Sequence, residues 1–580
     1  MPPPAVLHPN TVSSASGRVF ACPELLAEVF GYFLAPSCLE LGDDPPRCAD
    51  RATLNSCARA CRTFSDVALD VLWATLDDLF PLLKLFSCFT KTTNFYIFTE
   101  DIDAEWARFQ RYARRVRIMH YGAHSRHNTI HSSVWVHLAR RCGGQGLLPR
   151  IRRLEAYNLS LSDVGPVTLL LSSTIRKLIV NFLGFGPEDG KDLDPDLPLI
   201  AAALFHDIVK TTAPHLTDLS LWDSFPLSPS HSALLGQCHN LRHLSVEGEA
   251  IKFNADAIRA LERLDSLKFA HMVIRLDDCQ TAVDLRLQTG FPALKSLILD
   301  GSAPDVANFI IAARLVALKS VDVTLVDSTD MSAVKGCLTQ IAAHLPRRLR
   351  SFRFTVTSIS PGSPAATLRE LLDPLYSLKG MRSVDLDLGD HNYGISDDDL
   401  KDLACAWPVL DRFEISSTVG SCVPRRKPLR CPTIRGLVEL AQHCPRLTAI
   451  SLPALDTKML PAPESVPVLG RSRMDRLSLR RISASGSNMH FNLAVLLDRL
   501  FPTLENLDIG TSGGEGVARE VFRYLEVMQQ GREHSQLFWQ DCATDDDLED
   551  EDSEEDSEDE DSEVDLKMEE NDHSEEGEED

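Results

Sequence analysis

Apolar residues recur along most of this chain in a six-residue pattern whose first, fourth and sixth positions are apolar. Thirteen copies begin at residues 151, 175, 216, 241, 264, 294, 318, 349, 381, 410, 447, 474 and 504. The twelve intervals between them run from 23 to 41 residues and average about 29. Because apolar and polar residues alternate at the end of each copy, each copy predicts a short strand with one buried face.

A proline introduces four of these strands. The sequences FPAL, WPVL, CPRL and FPTL begin at Phe291, Trp407, Cys444 and Phe501. Proline prevents a preceding helix from continuing, so a helix is expected to end just before each strand. Helix-compatible segments lie between the copies, at Ala255–Leu261, Val306–Leu315, Leu368–Leu375, Asp397–Ala406, Ile434–His443 and Leu493–Phe501.

Strand and helix alternating at this period predict an α/β leucine-rich-repeat solenoid, a horseshoe of stacked repeats. Three separate globular domains are the alternative for a chain of 580 residues. A further copy at Ala113 extends the array toward residue 105. The long intervals after residues 175 and 410 are expected to hold loops on one rim.

The region Cys22–Trp73 has a different pattern, of short amphipathic helices. One stripe holds Leu25, Leu26, Val29, Phe30 and Phe33. After a loop rich in Pro, Asp and Cys, a second stripe comprises Leu54, Cys57, Ala58, Cys61, Phe64 and Val67. About fifty residues bury this many apolar faces poorly on their own, so one face is available to a partner.

The residues P-E-L-L-x-E-V-F from Pro23 and L-x-x-C-A-x-x-C-R-x-F from Leu54 resemble an F-box. The continuation to about residue 120 resembles large fungal F-box proteins with a C-terminal leucine-rich-repeat array. The resemblance implies that the module docks on the Skp adaptor of an SCF (Skp–cullin–F-box) ubiquitin ligase. By resemblance, the adaptor-binding residues are Pro23, Leu25, Leu26, Val29, Phe30, Leu54, Cys61 and Phe64. This chain has Cys22 where the family pattern usually begins Leu-Pro, and its inter-helix loop is long.

The charge of the chain is concentrated in its last residues. The sequence contains 59 Lys and Arg and 84 Asp and Glu, a net charge of −25. Residues 545–580 hold 24 acidic residues and one basic residue, which leaves 60 acidic and 58 basic residues in the body. We therefore expect a disordered acidic tail and no general affinity for nucleic acid or membranes. Ser553, Ser557 and Ser562 each stand three residues before a carboxylate and are candidate phosphosites.

These patterns divide the chain into five predicted parts. They are a disordered N-terminus (1–19), an F-box-like helical module (20–75), a helical connector (76–110), the solenoid (111–530) and the acidic tail (531–580). Neither a secretory signal nor an 18-residue apolar span is present in the sequence, so an intracellular protein, nuclear or cytoplasmic, is expected.

The sequence holds no convincing catalytic or metal-binding motif. Gly510–Gly514 matches the nucleophile-elbow pattern around Ser512, but the acid and His of a triad do not follow it in order. His120, His124, His127 and His131 have helical spacing, yet Gly122 and the polar run around them favour a loop. We expect no cofactor, no metal, reduced cysteines and no enzymatic activity.

In a horseshoe, the polar positions of each strand face the concave side of the sheet. We predict that substrate contacts come from these positions, chiefly Tyr157, Trp222, His243, Lys268, Asp322, Arg353, Asp385 and Asp387. The predicted function is a substrate-recruiting subunit of an SCF-type ubiquitin ligase, a monomer outside the complex, with an unidentified protein target. The alternative is a leucine-rich-repeat scaffold, outside any ligase, that binds basic proteins through its acidic tail.

Overall fold

The structure is a computed structural model of the 580-residue chain. It describes residues 22–33, 48–122, 130–182, 196–222, 229–248, 251–277, 279, 281–326, 330–359, 367–389, 394–416, 430–469, 473–482, 489–509 and 515–545. The predicted phosphosites, the first 19 residues, Ser512, His124 and His127 lie outside the described residues.

The described residues of the N-terminal module form three helices, α1 (Pro23–Gly31), α2 (Cys48–Ala60) and α3 (Arg62–Leu72). Leu26 and Phe30, one turn apart on α1, pack against Leu54 of α2 and Val67 of α3. The second predicted stripe is divided, because the backbone of Cys61 is extended, with φ −157° and ψ 166°. The two helices it separates still pack on one small core.

Fifteen strands form one sheet, and every paired neighbour is parallel. Their order is β1, then β4 to β17 in sequence order. The strands are β1 (Thr75–Leu76), β4 (Ile118–Tyr121), β5 (Arg153–Leu159), β6 (Lys177–Phe182), β7 (Asp218–Trp222), β8 (His243–Val246), β9 (Phe269–Val273), β10 (Ser296–Gly301), β11 (Ser320–Leu325), β12 (Ser351–Val356), β13 (Ser383–Asp387), β14 (Arg412–Ser416), β15 (Ala449–Leu452), β16 (Arg476–Leu479) and β17 (Asn506–Ile509). Strands β2 (Phe89–Lys91) and β3 (Tyr96–Phe98) pair separately as an antiparallel hairpin.

The helices of the array lie between successive strands. They are α4 (Phe80–Leu83), α5 (Asp103–Ala113), α6 (Ser132–Cys142), α7 (Val164–Leu170), α8 (Leu197–Thr212), α9 (Pro229–Ser232), α10 (Ala255–Leu261), α11 (Ala303–Ala313), α12 (Met331–His344), α13 (Leu368–Leu372), α14 (Asp397–Ala406), α15 (Ile434–His443), α16 (Met489–Leu500) and α17 (Glu515–Asp545). Short 3₁₀ turns supplement them at Leu161–Asp163, Ala233–Gln237, Ala282–Leu285, Asp373–Ser377 and Pro463–Ser465. Three predicted helices, Ala255–Leu261, Asp397–Ala406 and Ile434–His443, have the bounds expected from the sequence.

The core lies between one face of the sheet and the helices. In β11, Val321, Val323 and Leu325 are buried while Ser320, Asp322 and Thr324 are partly exposed, which is the alternation expected of a strand. Strand register places the buried positions of successive repeats side by side, as in Val321 opposite Phe352. The result is a leucine-rich-repeat solenoid with one continuous core, whose opposite sheet face, here called the open face, is not covered by the helices.

Two copies of the pattern lie three residues later than the sequence analysis placed them. Lys268 N–H donates to the Arg242 carbonyl at 2.8 Å, so the strand pattern begins at Leu267 and not at residue 264. The predicted copy at Ala113 likewise begins at Val116, because Arg152 N–H donates to Arg117. Both alternatives satisfy the apolar pattern, and only the pairing of strands separates them.

The structure also differs in three respects from the predicted division of the chain. The sheet begins at Thr75, and the predicted helical connector, residues 76–110, contains the β2–β3 hairpin. At the other end, α17 continues to Asp545, so helix extends into the region assigned to the tail. The module meets the array through Arg115, which pairs with Asp66 and Asp70 of α3.

Within the described residues, no helix is long and apolar enough to cross a membrane. Eleven cysteines of this part of the chain are reduced thiols.

Candidate protein-binding surfaces

Helix α1 carries an exposed apolar stripe, formed by Leu25, Val29 and Tyr32 and here called the α1 stripe. The exposed fractions of these side chains are 45%, 48% and 87%. They lie three and four residues apart, so they share one helix face, which is turned about 100° from the face that buries Leu26 and Phe30. Three neighbouring large apolar side chains left in water on so small a module indicate a surface that another molecule covers.

The other predicted adaptor residues divide between surface and core. Pro23 and Cys61 are exposed, and Phe64 is half-buried with its ring 5.7 Å from that of Phe30. The interior residues Leu26, Phe30 and Leu54 are at most 5% exposed. A partner that docks on this folded module therefore cannot contact those three, since they already fill the module core.

The open face carries an acidic patch in its middle, composed of Asp300, Asp322, Asp385, Asp387 and Glu414. Strand register sets Asp322, Arg353 and Asp385 side by side on three successive strands. Arg353 Nε donates to Asp385 at 2.7 Å, and its Nη1 lies 3.6 Å from Asp322. The predicted residues Asp322, Arg353, Asp385 and Asp387 are thus brought together on one surface.

The patch has more carboxylates than nearby cations. Besides Arg353, Arg412 lies at the edge of the patch and approaches Glu414 at 3.6 Å. Partial burial raises the pKa of Asp322, although Arg353 opposes that shift and the neighbouring Asp300 and Asp385 reinforce it. A cationic ligand that reached this surface would relieve the repulsion, so the patch suits a Lys- or Arg-rich segment.

Toward the N-terminal end of the open face, aromatic and buried polar groups replace the acidic patch. The rings of Tyr157 and Trp222 lie 6.0 Å apart, and Tyr157 Oη donates to Glu155 at 3.0 Å. Glu155 is fully buried and also pairs with Arg153 and, at 2.7 Å, with His120 Nδ1. Burial disfavours the Glu155 carboxylate, but His120 and Arg153 outweigh it and lower its pKa to about 2.

Two further predicted contact residues, His243 and Lys268, lie outside the acidic patch. His243 lies on β8 and pairs with Asp218 at 2.8 Å. Lys268 precedes β9 and lies on the rim of the sheet, because its repeat begins three residues later than predicted. The open-face position in that repeat belongs to His271, whose Nε2 lies 3.2 Å from Asp300.

The C-terminal end of the open face contains a cavity of about 640 Å³. Arg476 of β16 shares the cavity with Glu414, Glu505 and Asp508. Ser478 donates to Asp508 at 3.3 Å. The end of the face is therefore of mixed charge, because one arginine stands among three carboxylates.

The histidine motif does not form a site in the described part. His120 is buried against Glu155, while His131 precedes α6 and accepts from the Ser133 N–H at 3.3 Å. Among the described residues, no group of three or more His, Cys, Asp or Glu side chains could hold a metal ion.

Comparison with known proteins gives distant similarities of structure alone. No family model and no curated protein matches the sequence. An internalin from Listeria monocytogenes matches with a TM-score of 0.32 and 14% identity, over 66% of this chain and 96% of that one. The structure of the Rad7 and Elc1 complex in yeast matches with a TM-score of 0.34 and 14% identity, over 60% of this chain and 83% of that one.

Proposed function

We propose that this protein is a substrate-recruiting subunit of an SCF-type ubiquitin ligase. The α1 stripe is the observation that carries the proposal. It exposes Leu25 and Val29 on the helix whose sequence resembles the start of an F-box, and an apolar helix face of this kind suits docking on an adaptor protein. Pro23 and Cys61 are also exposed and available to the same partner.

The open face is the proposed binding surface for the target. Its aromatic pair, Tyr157 and Trp222, can anchor a side chain, and the acidic patch attracts cations. The protein itself forms no covalent bond in this mechanism. It raises the local concentration of target lysines near the ubiquitin-loaded enzyme, which is an effect of proximity.

Co-purification with the Skp adaptor tests the proposal. Full-length protein should co-elute with the adaptor on gel filtration, and Leu25→Asp/Val29→Asp should abolish co-elution because it places two charges in the apolar interface. Val136→Asp/Leu199→Asp is the matched control, since these residues are 48% and 73% exposed on α6 and α8. The control variant should bind like the wild type.

Either of two results would contradict the proposal. In the first, wild-type protein with an intact circular-dichroism spectrum fails to co-elute with the adaptor. In the second, both double variants co-elute as well as the wild type, which would show that the α1 stripe is not part of the interface.

The second candidate function is a scaffold that binds basic proteins through the acidic tail. The observation in its favour is the 24 acidic residues between Asp545 and Asp580. Deleting those residues separates the two functions. The ligase proposal predicts adaptor binding within about twofold of wild type, whereas the scaffold predicts loss of partner binding and no adaptor complex at all.

A further inference from the structure

Nine cations form a row along the rim of the sheet where the strands begin. This basic ladder comprises Arg117, Arg152, Arg176, Arg242, Lys268, Lys295, Lys319, Arg350 and Arg382. Each residue stands directly before a strand, and backbone hydrogen bonds join neighbours, as from Lys319 N–H to Lys295 at 2.8 Å and from Arg382 N–H to Arg350 at 2.7 Å. Only Thr217 interrupts the row between Arg117 and Arg382.

The row is far more basic than the chain as a whole. Lys and Arg are 59 of 580 residues, about one in ten, yet they occupy nine of ten successive ladder positions. Beyond Arg382 the same row turns acidic or neutral, with Asp411, Thr448, Asp475 and Glu505. The basic stretch therefore ends at Arg382, and none of its ten positions is acidic.

The described residues offer these cations no carboxylate partners of their own, since none of the nine forms an ion pair there. Neighbouring strands lie about 4.8 Å apart, well inside the Debye length of about 8 Å at physiological ionic strength, so the ladder acts on an anion as a unit. An extended anionic chain is the ligand that such a line of charges fits.

A groove follows the central part of the ladder. It has a volume of about 630 Å³ and is lined by Lys295, Lys319, Arg348, Arg350 and Arg382. The remaining lining is apolar or lacks a side chain, at Val316, Ala317, Gly380 and Val409. Five of the nine lining residues are cations and the others are apolar or glycine, so the groove suits an anionic peptide chain.

The helix α17 leads the C-terminal segment to this same rim. Gln529 donates to the Leu504 carbonyl at 3.0 Å, and Arg532 Nη2 donates to the Pro502 carbonyl at 3.1 Å. Those carbonyls immediately precede β17, at the edge where the ladder runs. The helix continues to Asp545, and residues 546–580 then carry 23 acidic residues and one lysine.

The acidic segment is long enough to reach the basic ladder. From β17 the nearest ladder residue is four strands away, about 19 Å, and Lys295 is seven strands away, about 34 Å. The helical residues that follow Arg532, up to Asp545, add at most about 20 Å to each distance. Thirty-five residues have a root-mean-square span of about 30 Å and a maximum near 115 Å. The tether keeps the segment at an effective concentration of about millimolar at the ladder.

We propose that the acidic segment, residues 546–580, binds the basic ladder of its own chain. Bound there, it covers the ladder against other polyanions, and the acidic positions Asp411, Asp475 and Glu505 direct it away from the nearer end of the rim. Phosphorylation of Ser553, Ser557 and Ser562 would add about two negative charges at each site and tighten the contact. The proposal is independent of the adaptor surface on α1.

Carbodiimide coupling, which joins a carboxylate to a lysine in direct contact, tests this on the full-length protein. Crosslinks from residues 546–580 should concentrate on Lys268, Lys295 and Lys319. Lys335 and Lys401, exposed on α12 and α14, are internal references that should couple at least fivefold less. Raising NaCl to about 0.5 M should remove the preference, because screening then acts over about 4 Å.

A charge-reversal variant keeps the reporting lysines and removes the attraction. Arg242→Glu/Arg350→Glu/Arg382→Glu should lower coupling to the ladder lysines at least fivefold. The matched control, Arg435→Glu/Lys458→Glu/Arg519→Glu, reverses three exposed cations away from the ladder and should leave coupling unchanged. Thermal unfolding of both variants verifies that each remains folded.

Mixing isotopically light and heavy chains shows whether the ladder binds the acidic segment of its own chain or that of a second chain. The proposal requires crosslinks within one chain. It is overturned if crosslinks join light to heavy chains, if Lys335 and Lys401 couple as well as the ladder lysines, or if the ladder variant couples like the wild type.

Discussion

At the scale of single residues, Glu155 illustrates how the array tolerates a buried charge. Its side chain has no exposure to solvent, yet His120, Arg153 and Tyr157 all direct polar groups at its carboxylate. A buried carboxylate without such partners would become protonated. Glu155 instead has a pKa of about 2, so it is ionised at neutral pH and stabilises the fold there.

Glu155→Gln should destabilise the strands around it in a pH-dependent way. The pKa of Glu155 is lower in the folded chain than in the unfolded chain, so its contribution is fully present above about pH 4.5 and is lost as the pH falls toward about 2. We expect a loss of about 3 kcal/mol at pH 7 and about 1 kcal/mol at pH 3.

Hydrogen exchange in β4, β5 and β6 measures this effect locally, because repeat arrays can open in sections. Glu526→Gln, at an exposed position of α17, is the matched control and should leave exchange unchanged. A difference between wild type and Glu155→Gln that does not shrink below pH 4.5 would contradict the account.

At the scale of elements, one aspartate ties two repeats together. Asp397, in the first turn of α14, accepts hydrogen bonds from the backbone N–H groups of Thr433 at 2.7 Å and Gly436 at 3.1 Å, and from the Thr433 hydroxyl. It therefore caps the N-terminus of α15. Gly436 is required for this approach, since a Cβ there would lie 2.7 Å from Asp397 Oδ1.

Asp397→Ala should destabilise α15 by about 2 kcal/mol, because it removes the charged acceptor of the Thr433 N–H and hydroxyl and one of the two acceptors of the Gly436 N–H. Amide exchange in Ile434–His443 should rise about thirtyfold if these amides exchange through local opening. Asp398→Ala, at the exposed neighbouring position, should change exchange by less than threefold. Equal exchange in the two variants would show that Asp397 is not the cap.

The sequence predicts elements better than it predicts their register. Apolar periodicity and the Pro-x-Leu motif are sufficient to predict the helix Asp397–Ala406 and the strand that follows it, because local patterns determine both elements. The copy at residue 264 was placed three residues early because Leu264 and Leu267 satisfy the pattern equally. Lys268 was consequently assigned to the open face, and His271 was missed.

The hairpin of β2 and β3 was also not predicted. Its strands are three residues long, too short to show a period of two. The exposure of Leu25 and the burial of Leu26 could not be separated by sequence either, because both belong to one apolar stripe. Only the packing of α2 and α3 on α1 decides which of them faces solvent.

At the scale of the whole molecule, the near-neutral body separates into surfaces of opposite charge. The 58 basic and 60 acidic residues outside the tail suggested no strong field. Stacking of repeats nevertheless lines up nine cations on one rim and five carboxylates on the open face. The second position of the hexapeptide carries this information in the sequence, as Arg or Lys up to Arg382 except at Thr217, and mostly as Asp or Glu afterwards.

The acidic patch and the basic ladder lie on the same solenoid, and together they affect how a charged target approaches it. A basic segment is drawn to the acidic patch and is repelled by the ladder wherever the acidic segment does not cover it, so its approach is oriented. Replacing Asp322, Asp385 and Asp387 with Asn should weaken capture of an Arg-rich probe peptide at least tenfold at low salt, because it removes three of five carboxylates. Fluorescence anisotropy measures this. Equal affinity for wild type and variant would exclude the patch as the binding surface.

Calorimetric titration of the purified full-length protein with the Skp adaptor measures whether the α1 stripe forms the proposed interface. We expect a one-to-one complex whose dissociation constant rises at least thirtyfold in Leu25→Asp/Val29→Asp and is unchanged in Val136→Asp/Leu199→Asp. An absence of binding by the folded wild-type protein, or equal affinities for all three, would contradict the proposal.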